Sequence, residues 1–104
     1  MTMLSQYIET IRNAKEYHIA EDYTYIGHTS GKLVNFEFVI LKIGKYSESL
    51  HRYLLEVERS GKIEKYFYYI DHDIPEMIGK NIYFERKHID NADVSEMLHI
   101  SRCW

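Results

Sequence analysis

The chain has 104 residues, 45% hydrophobic and 28% charged, with 13 lysines and arginines against 16 acids for a formal net charge of −3. That length holds one core and one domain, and no apolar run nears the ~18 residues of a membrane helix. A single cysteine, Cys103, excludes an intrachain disulfide, and without a basic-then-apolar leader the pattern predicts a cytoplasmic protein.

Leu4, Tyr7, Ile8, Ile11 and Ala14 recur at helical spacing and predict an amphipathic helix over residues 3–15, capped by Thr2 or Ser5. Residues 17–22 read as a polar connection ending in Glu21-Asp22. From Tyr23 the period becomes two. A short strand around Tyr23 and Tyr25 leads to turn chemistry in His28-Thr29-Ser30-Gly31, and a long strand over 32–42 follows, with Val34, Phe36, Phe38 and Ile40 on one face. Gly44 marks a bend and Tyr46 to Ser49 a polar linker. Residues 50–58 form a strand with Tyr53, Leu55 and Val57 inward, and Ser60-Gly61 turns it into a hairpin with 62–70.

That second hairpin strand is the most informative stretch. Tyr66-Phe67-Tyr68-Tyr69-Ile70 puts apolar bodies on both faces, as a strand in mid-sheet does and a one-faced helix cannot. Pro75 and Gly79 bracket one helical turn at 74–78, and residues 81–89 return to strand with Ile82 and Phe84 inward. Asp90 or Asn91 caps a final helix carrying Val94, Met97 and Leu98 as its buried stripe. The predicted fold is therefore α+β over residues 1–104: an N-terminal helix, an antiparallel sheet of about five strands in a meander, and a C-terminal helix.

Charge divides unevenly along the chain. Residues 1–31 carry two bases and four acids, 32–70 seven bases and five acids, and 71–104 four bases and seven acids. Acidic ends around a nearly balanced middle predict weak, salt-sensitive binding to DNA. The closest histidine cluster, Asp71-His72-Asp73 with His51, lacks the spacing of a zinc site, so no metal or other cofactor is expected. The five glycines are isolated, which excludes a phosphate-binding loop. No nucleophile–base–orienter set is evident, and the chain is expected not to be an enzyme. Residues 93–101 look like half of a helix-turn-helix, but read more simply as a closing helix.

Ten tyrosines are the compositional outlier, and tyrosine suits binding faces. Tyr25, Tyr66, Tyr68 and Tyr83, interleaved with Lys65 and Lys87, could stack the bases of a single strand as an OB-fold does. Residues 74–84 also resemble OB-folds in their order of helical turn, glycine and apolar strand.

A second resemblance rests on Met1-Thr2, Tyr7-Ile8, Gly27, Ser30, Lys32, the stretch Tyr46-Ser47-Glu48-Ser49-Leu50-His51, and Tyr69-Ile70-Asp71 followed by His72-Asp73. In this order they resemble, with gaps over residues 1–73, the staphylococcal type of uracil-DNA glycosylase inhibitor carried by mobile elements. The resemblance implies a small α+β protein that imitates the DNA backbone inside a host enzyme's cleft. Glu48 would be its first phosphate-mimicking carboxylate. Glu21 and Asp22, standing where the family has an acidic helix, come next, followed by Asp71 and Asp73, with Tyr46 and His51 flanking the contact. Its partner would be a host DNA-acting enzyme, neither a membrane nor DNA itself, and the mild acidity makes this non-catalytic inhibitor the expected function, with the OB-fold-like strand binder as the alternative.

Overall fold

A computed structural model of the chain describes residues 13–19, 22–43, 49–68, 73–89 and 92–104. Among them run six strands: β1 Lys15–Ile19, β2 Tyr23–Ile43, β3 Ser49–Arg59, β4 Lys62–Tyr68, β5 Asn81–Ile89 and β6 Val94–Cys103. A 3₁₀ turn, Ile74–Met77, precedes β5. The first half of β2 pairs antiparallel with β5 and the second half antiparallel with β3, the two ladders meeting at Lys32. β3 and β4 form a hairpin, and β6 lies between β4 and β5, parallel to the former and antiparallel to the latter.

The circuit β2–β3–β4–β6–β5–β2 thus closes on itself. A long bent first strand, a two-strand hairpin, a helical turn between the third and fourth ring strands and an inserted last strand give the connectivity of an OB barrel. β1 lies outside the ring, parallel to β2 from Lys15 opposite Val39 to Ile19 opposite Ile43.

This overturns the α+β expectation. The final helix expected from Val94, Met97 and Leu98 is instead part of strand β6, and the sheet is mixed and Greek-key rather than an antiparallel meander. Bulges explain the error at β6. Its pairing with β5 skips Leu98 and Ser101, so inward-facing Met97 and Ile100 fall three residues apart, the spacing of a helix face. The expected N-terminal helix falls over 3–12 outside the described residues, while Lys15 already belongs to β1, which occupies part of the supposed polar connection. His28 to Gly31 is no turn, because β5 supplies a continuous ladder for that half of β2. The strand instead bends at two bulges, the first at Ile26 with Gly27 at φ 112°, the second at Val34.

Other expectations hold. The hairpin turns at Ser60-Gly61 with φ 53° and 76°, the left-handed pair of a tight two-residue turn. The helical turn at Ile74–Met77 and the strand Asn81–Ile89 stand where the sequence puts them. The linker over 44–48 lies outside the described residues.

Alternation of side chains yields two cores. Inside the ring, Leu33, Leu55, Val57, Tyr66, Phe84 and Met97 meet, and Ile74 and Met77 from the 3₁₀ turn pack against them. Backbone bonds dock that turn on β2: the Gly79 N–H donates to the Leu33 carbonyl at 2.7 Å, and the Leu33 N–H to the Lys80 carbonyl at 2.9 Å. On the opposite face of β3 and β4, Leu54 and Phe67 join Val39, Leu41, Ile89 and Val94 in a second cluster. Tyr17 of β1 covers it, its ring edge-on to Phe67 at 5.5 Å. In the 32–42 strand the residues buried outright are Leu33, Val39 and Leu41, while Phe36 only packs partly against the barrel core. The bulge at Val34 breaks the simple alternation that the sequence suggested.

Candidate functional site

Registry places the outward side chains of β2, β5 and β6 in rows. Lys32, Asn81 and Trp104 make the first, with paired backbone bonds of 2.9 Å between Asn81 and Trp104. Ser30, Tyr83 and Arg102 make the second, and His28, Glu85 and His99 the third. Tyr25, Lys87 and Glu96 complete the face beyond the first β2 bulge. Neighbouring strands lie ~4.8 Å apart and rows ~6.8 Å apart, so the face is a ruled surface held by backbone hydrogen bonds.

Its rings are exposed: Tyr25 by 56%, Trp104 by 55% and Tyr83 by 36%. His28 stacks on Tyr83 with centroids 5.4 Å apart and ring planes 13° from parallel. The Arg102 guanidinium lies over the Trp104 ring at 5.3 Å. Three cations, Lys32, Lys87 and Arg102, stand against two acids. Of these, Glu85 faces His28 at 3.4 Å. Burial pushes the Glu96 carboxyl above the usual glutamate range, with Lys87 and Arg52 drawing it partway back. The surface offers flat apolar rings and positive groups on a chain that is acidic as a whole.

Beside Trp104 the face runs into a cleft of about 240 Å³ between the 3₁₀ turn and β6. Asp73 and Met77 line it from the turn, Ile100, Arg102 and Cys103 from β6, and the nearly buried Tyr68 completes the wall. Ser101 also borders it, its hydroxyl donating to the Tyr83 carbonyl at 3.3 Å.

A polar cluster of different character sits on the barrel side of the sheet. Arg59 Nε contacts Glu64 Oε1 at 2.6 Å, and Arg59 Nη1 donates to Thr29 Oγ1 at 3.2 Å. The Tyr66 hydroxyl donates to Glu64 Oε2 at 2.6 Å and accepts from Arg86 Nη1 at 3.4 Å. Burial pushes the Glu64 carboxyl up, but the Tyr66 hydroxyl and Arg59, helped by Arg86, together hold it below the usual range. Burial and the Glu64 contact push the Tyr66 phenol to about 12, so it remains a donor throughout ordinary pH. Each member has a partner within the cluster, although the buried Arg86 Nε has none, and the cluster ties β2, β3, β4 and β5 together.

The residues singled out from sequence divide sharply. Tyr66 and Tyr68 are buried and cannot stack a ligand, whereas Tyr25 and Tyr83 share the outer face with Lys87. Lys65 is exposed on β4, away from them. Of the proposed inhibitor contacts, Glu21, Tyr46, Glu48 and Asp71 lie outside the described residues. Asp22 is exposed just before β2, and Asp73 is exposed at the head of the 3₁₀ turn. His51 is half-buried on β3, its ring 5.6 Å from Phe38. Among the described residues no three His, Cys, Asp or Glu side chains stand close enough to hold a metal ion, and no helix is long and apolar enough to cross a membrane.

Trp104, Arg102 and His28 escaped the sequence reading. Arg102 and Trp104 fell beyond a supposed helix, and His28 inside a supposed turn. The signal was the alternation Ile100–Arg102–Trp104, legible once residues 94–103 are read as strand. No family model, curated protein or solved structure matches the chain, so fold and face stand on their own geometry.

Proposed function

We propose that the protein is a non-catalytic binding module of OB connectivity that takes single-stranded nucleic acid on the outer face of β2, β5 and β6. The observation that carries this is the set of exposed rings, Tyr25, Tyr83 and Trp104, set among Lys87 and Arg102 on hydrogen-bonded strands. Bases stack on aromatic side chains without regard to sequence, at ~1–3 kcal/mol per base. Paired bases cannot reach such rings, so duplex should compete poorly. Anisotropy of a labelled oligo-dT strand tests the reading. Tyr83→Ala and Trp104→Ala should each weaken binding by about 5- to 150-fold, the range those stacking energies span. Undetectable binding by the unaltered protein, or full affinity in both variants, would reject it.

A second reading is favoured by one observation, the excess of 16 acids over 13 bases. The chain then acts as an inhibitor, of phage or mobile-element origin, that blocks the DNA-binding cleft of a host enzyme, with uracil-DNA glycosylase the first target to assay. Of the carboxylates proposed for that contact, Asp22 and Asp73 lie among the described residues, and both are exposed. Uracil excision measured with a stoichiometric excess of the protein decides it, and undiminished excision excludes the glycosylase.

A further inference from the structure

We propose that the outer face takes a single strand over four nucleotides, with three bases stacked on Trp104, Tyr83 and Tyr25 in that order and the base between the last two left unstacked. This rests on the reading of that face as a nucleic-acid platform, and adds to it a footprint and a path.

The three rings lie on a diagonal. Trp104 follows β6 in the first row, Tyr83 stands on β5 in the second, and Tyr25 on β2 in the fourth. Each ring is therefore one strand over from the last, but the rows between them differ. With strands ~4.8 Å apart and rows ~6.8 Å apart, the first step spans about 8 Å and the second about 14 Å. A strand pulled out of its stack has roughly twice the 3.4 Å spacing it keeps in the duplex, about 7 Å per nucleotide. The first step thus takes one nucleotide and the second takes two. Three rings hold three bases out of four.

Charge follows the same spacing. Each row with one of these rings also holds a cation, Lys32 in the first, Arg102 in the second and Lys87 in the fourth. Glu96 shares the fourth row, where the charge of Lys87 opposes its own. The third row has neither tyrosine nor tryptophan, and neither lysine nor arginine. Its His28 ring is already stacked on Tyr83 at 5.4 Å and faces Glu85 at 3.4 Å, and an ionised Glu85 would repel a phosphate. Four nucleotides are joined by three phosphates, one for each cation of the ringed rows.

The experiment titrates the full chain with oligo-dT of four nucleotides and with its four variants, each lacking one base. Binding is followed by quenching of Trp104, the only tryptophan. An abasic sugar keeps every phosphate, so the series reads stacking alone. Both end positions and one inner position should each cost about 5- to 150-fold, the span of one lost stack. The other inner position should cost under about twofold, because no ring stacks its base, and its identity gives the polarity of the strand. In Tyr25→Ala the end position next to that silent one should become silent too. Tyr25 is 56% exposed, which lets the variant fold, as urea unfolding will verify. Equal losses at both inner positions, or an unchanged end loss in Tyr25→Ala, overturn the four-nucleotide path while leaving the outer face standing. An eight-nucleotide strand that binds far tighter than its extra registers supply does the same. Failure of every length to bind overturns the outer-face reading and the path with it.

Discussion

Replacing Tyr66 with phenylalanine removes one oxygen from the polar cluster and leaves the barrel core filled. The lost hydroxyl donates to the ionised Glu64 at 2.6 Å and accepts from Arg86 at 3.4 Å. Hydrogen bonds to charged groups contribute ~1.5–3 kcal/mol net. The Glu64 side chain is 31% exposed, so water recovers part of that loss and the lower end applies, about 1.5 kcal/mol. In a domain of this size the melting temperature should fall by roughly 6–12 °C. Urea unfolding at neutral pH measures the loss directly, with the slope against denaturant unchanged. Acid supplies the control. Glu64 has a lower pKa folded than unfolded, so its stabilisation is present above the unfolded value and is lost as pH falls through the folded one. The gap between the two proteins should therefore narrow in acid. A gap under ~0.5 kcal/mol at neutral pH, within ordinary surface scatter, would refute the assignment, as would a gap indifferent to acid.

Three further outcomes test other parts of the structure. Gly31→Ala would set a Cβ 2.5 Å from Val57 Cγ1 and 2.9 Å from the Glu58 carbonyl oxygen, so unfolding experiments should show a loss of about 1–3 kcal/mol; a neutral variant would mean that β2 and β3 are less closely apposed. Glu96→Gln should stabilise the protein at neutral pH, because burial raises the carboxyl's pKa in the folded state. The stability from its protonated form is complete below the unfolded pKa and lost as pH rises through the folded one, and a variant no more stable than the parent refutes this. Binding of single-stranded DNA should depend on salt with a log–log slope of about −2, as three phosphate contacts by Lys32, Lys87 and Arg102 require; a slope steeper than about −4 would assign the footprint to other cations.

The sequence was most legible where local geometry and burial agreed. Ser60-Gly61 needs left-handed backbone, and the alternating residues on both sides need a common inner face, so β3 and β4 had one sensible pairing. It was least legible where the ladder itself is irregular. A bulge inserts a residue without changing composition, so the inward spacing of Met97 and Ile100 imitates a helix face although every residue from Val94 to Cys103 is strand. The aromatic run held a related ambiguity. Tyr66, Phe67 and Tyr68 were legible as two-faced strand residues, but closure of the ring buries one face and β1 covers the other. Only strand order decides that, and order lies in long-range pairing rather than in any local window.

That burial also decides which side of the barrel can serve a ligand. OB barrels commonly bind oligonucleotides across their second and third strands, which here are β3 and β4. In this chain the centre of that face, Leu54 and Phe67, is sealed by Tyr17 and Ala92. Fold analogy alone would therefore place the ligand on a covered surface. The exposed rings stand instead on β2, β5 and β6, where outward positions are free because no other described element packs over them. Cations are interleaved there with rings rather than gathered into a basic stripe. On the proposed reading, stacking would carry most of the affinity, with phosphate contacts adding a modest, salt-sensitive share. If that reading holds, an acidic chain would hold a single strand on those terms while rejecting duplex, whose phosphates alone would meet a protein of net charge −3.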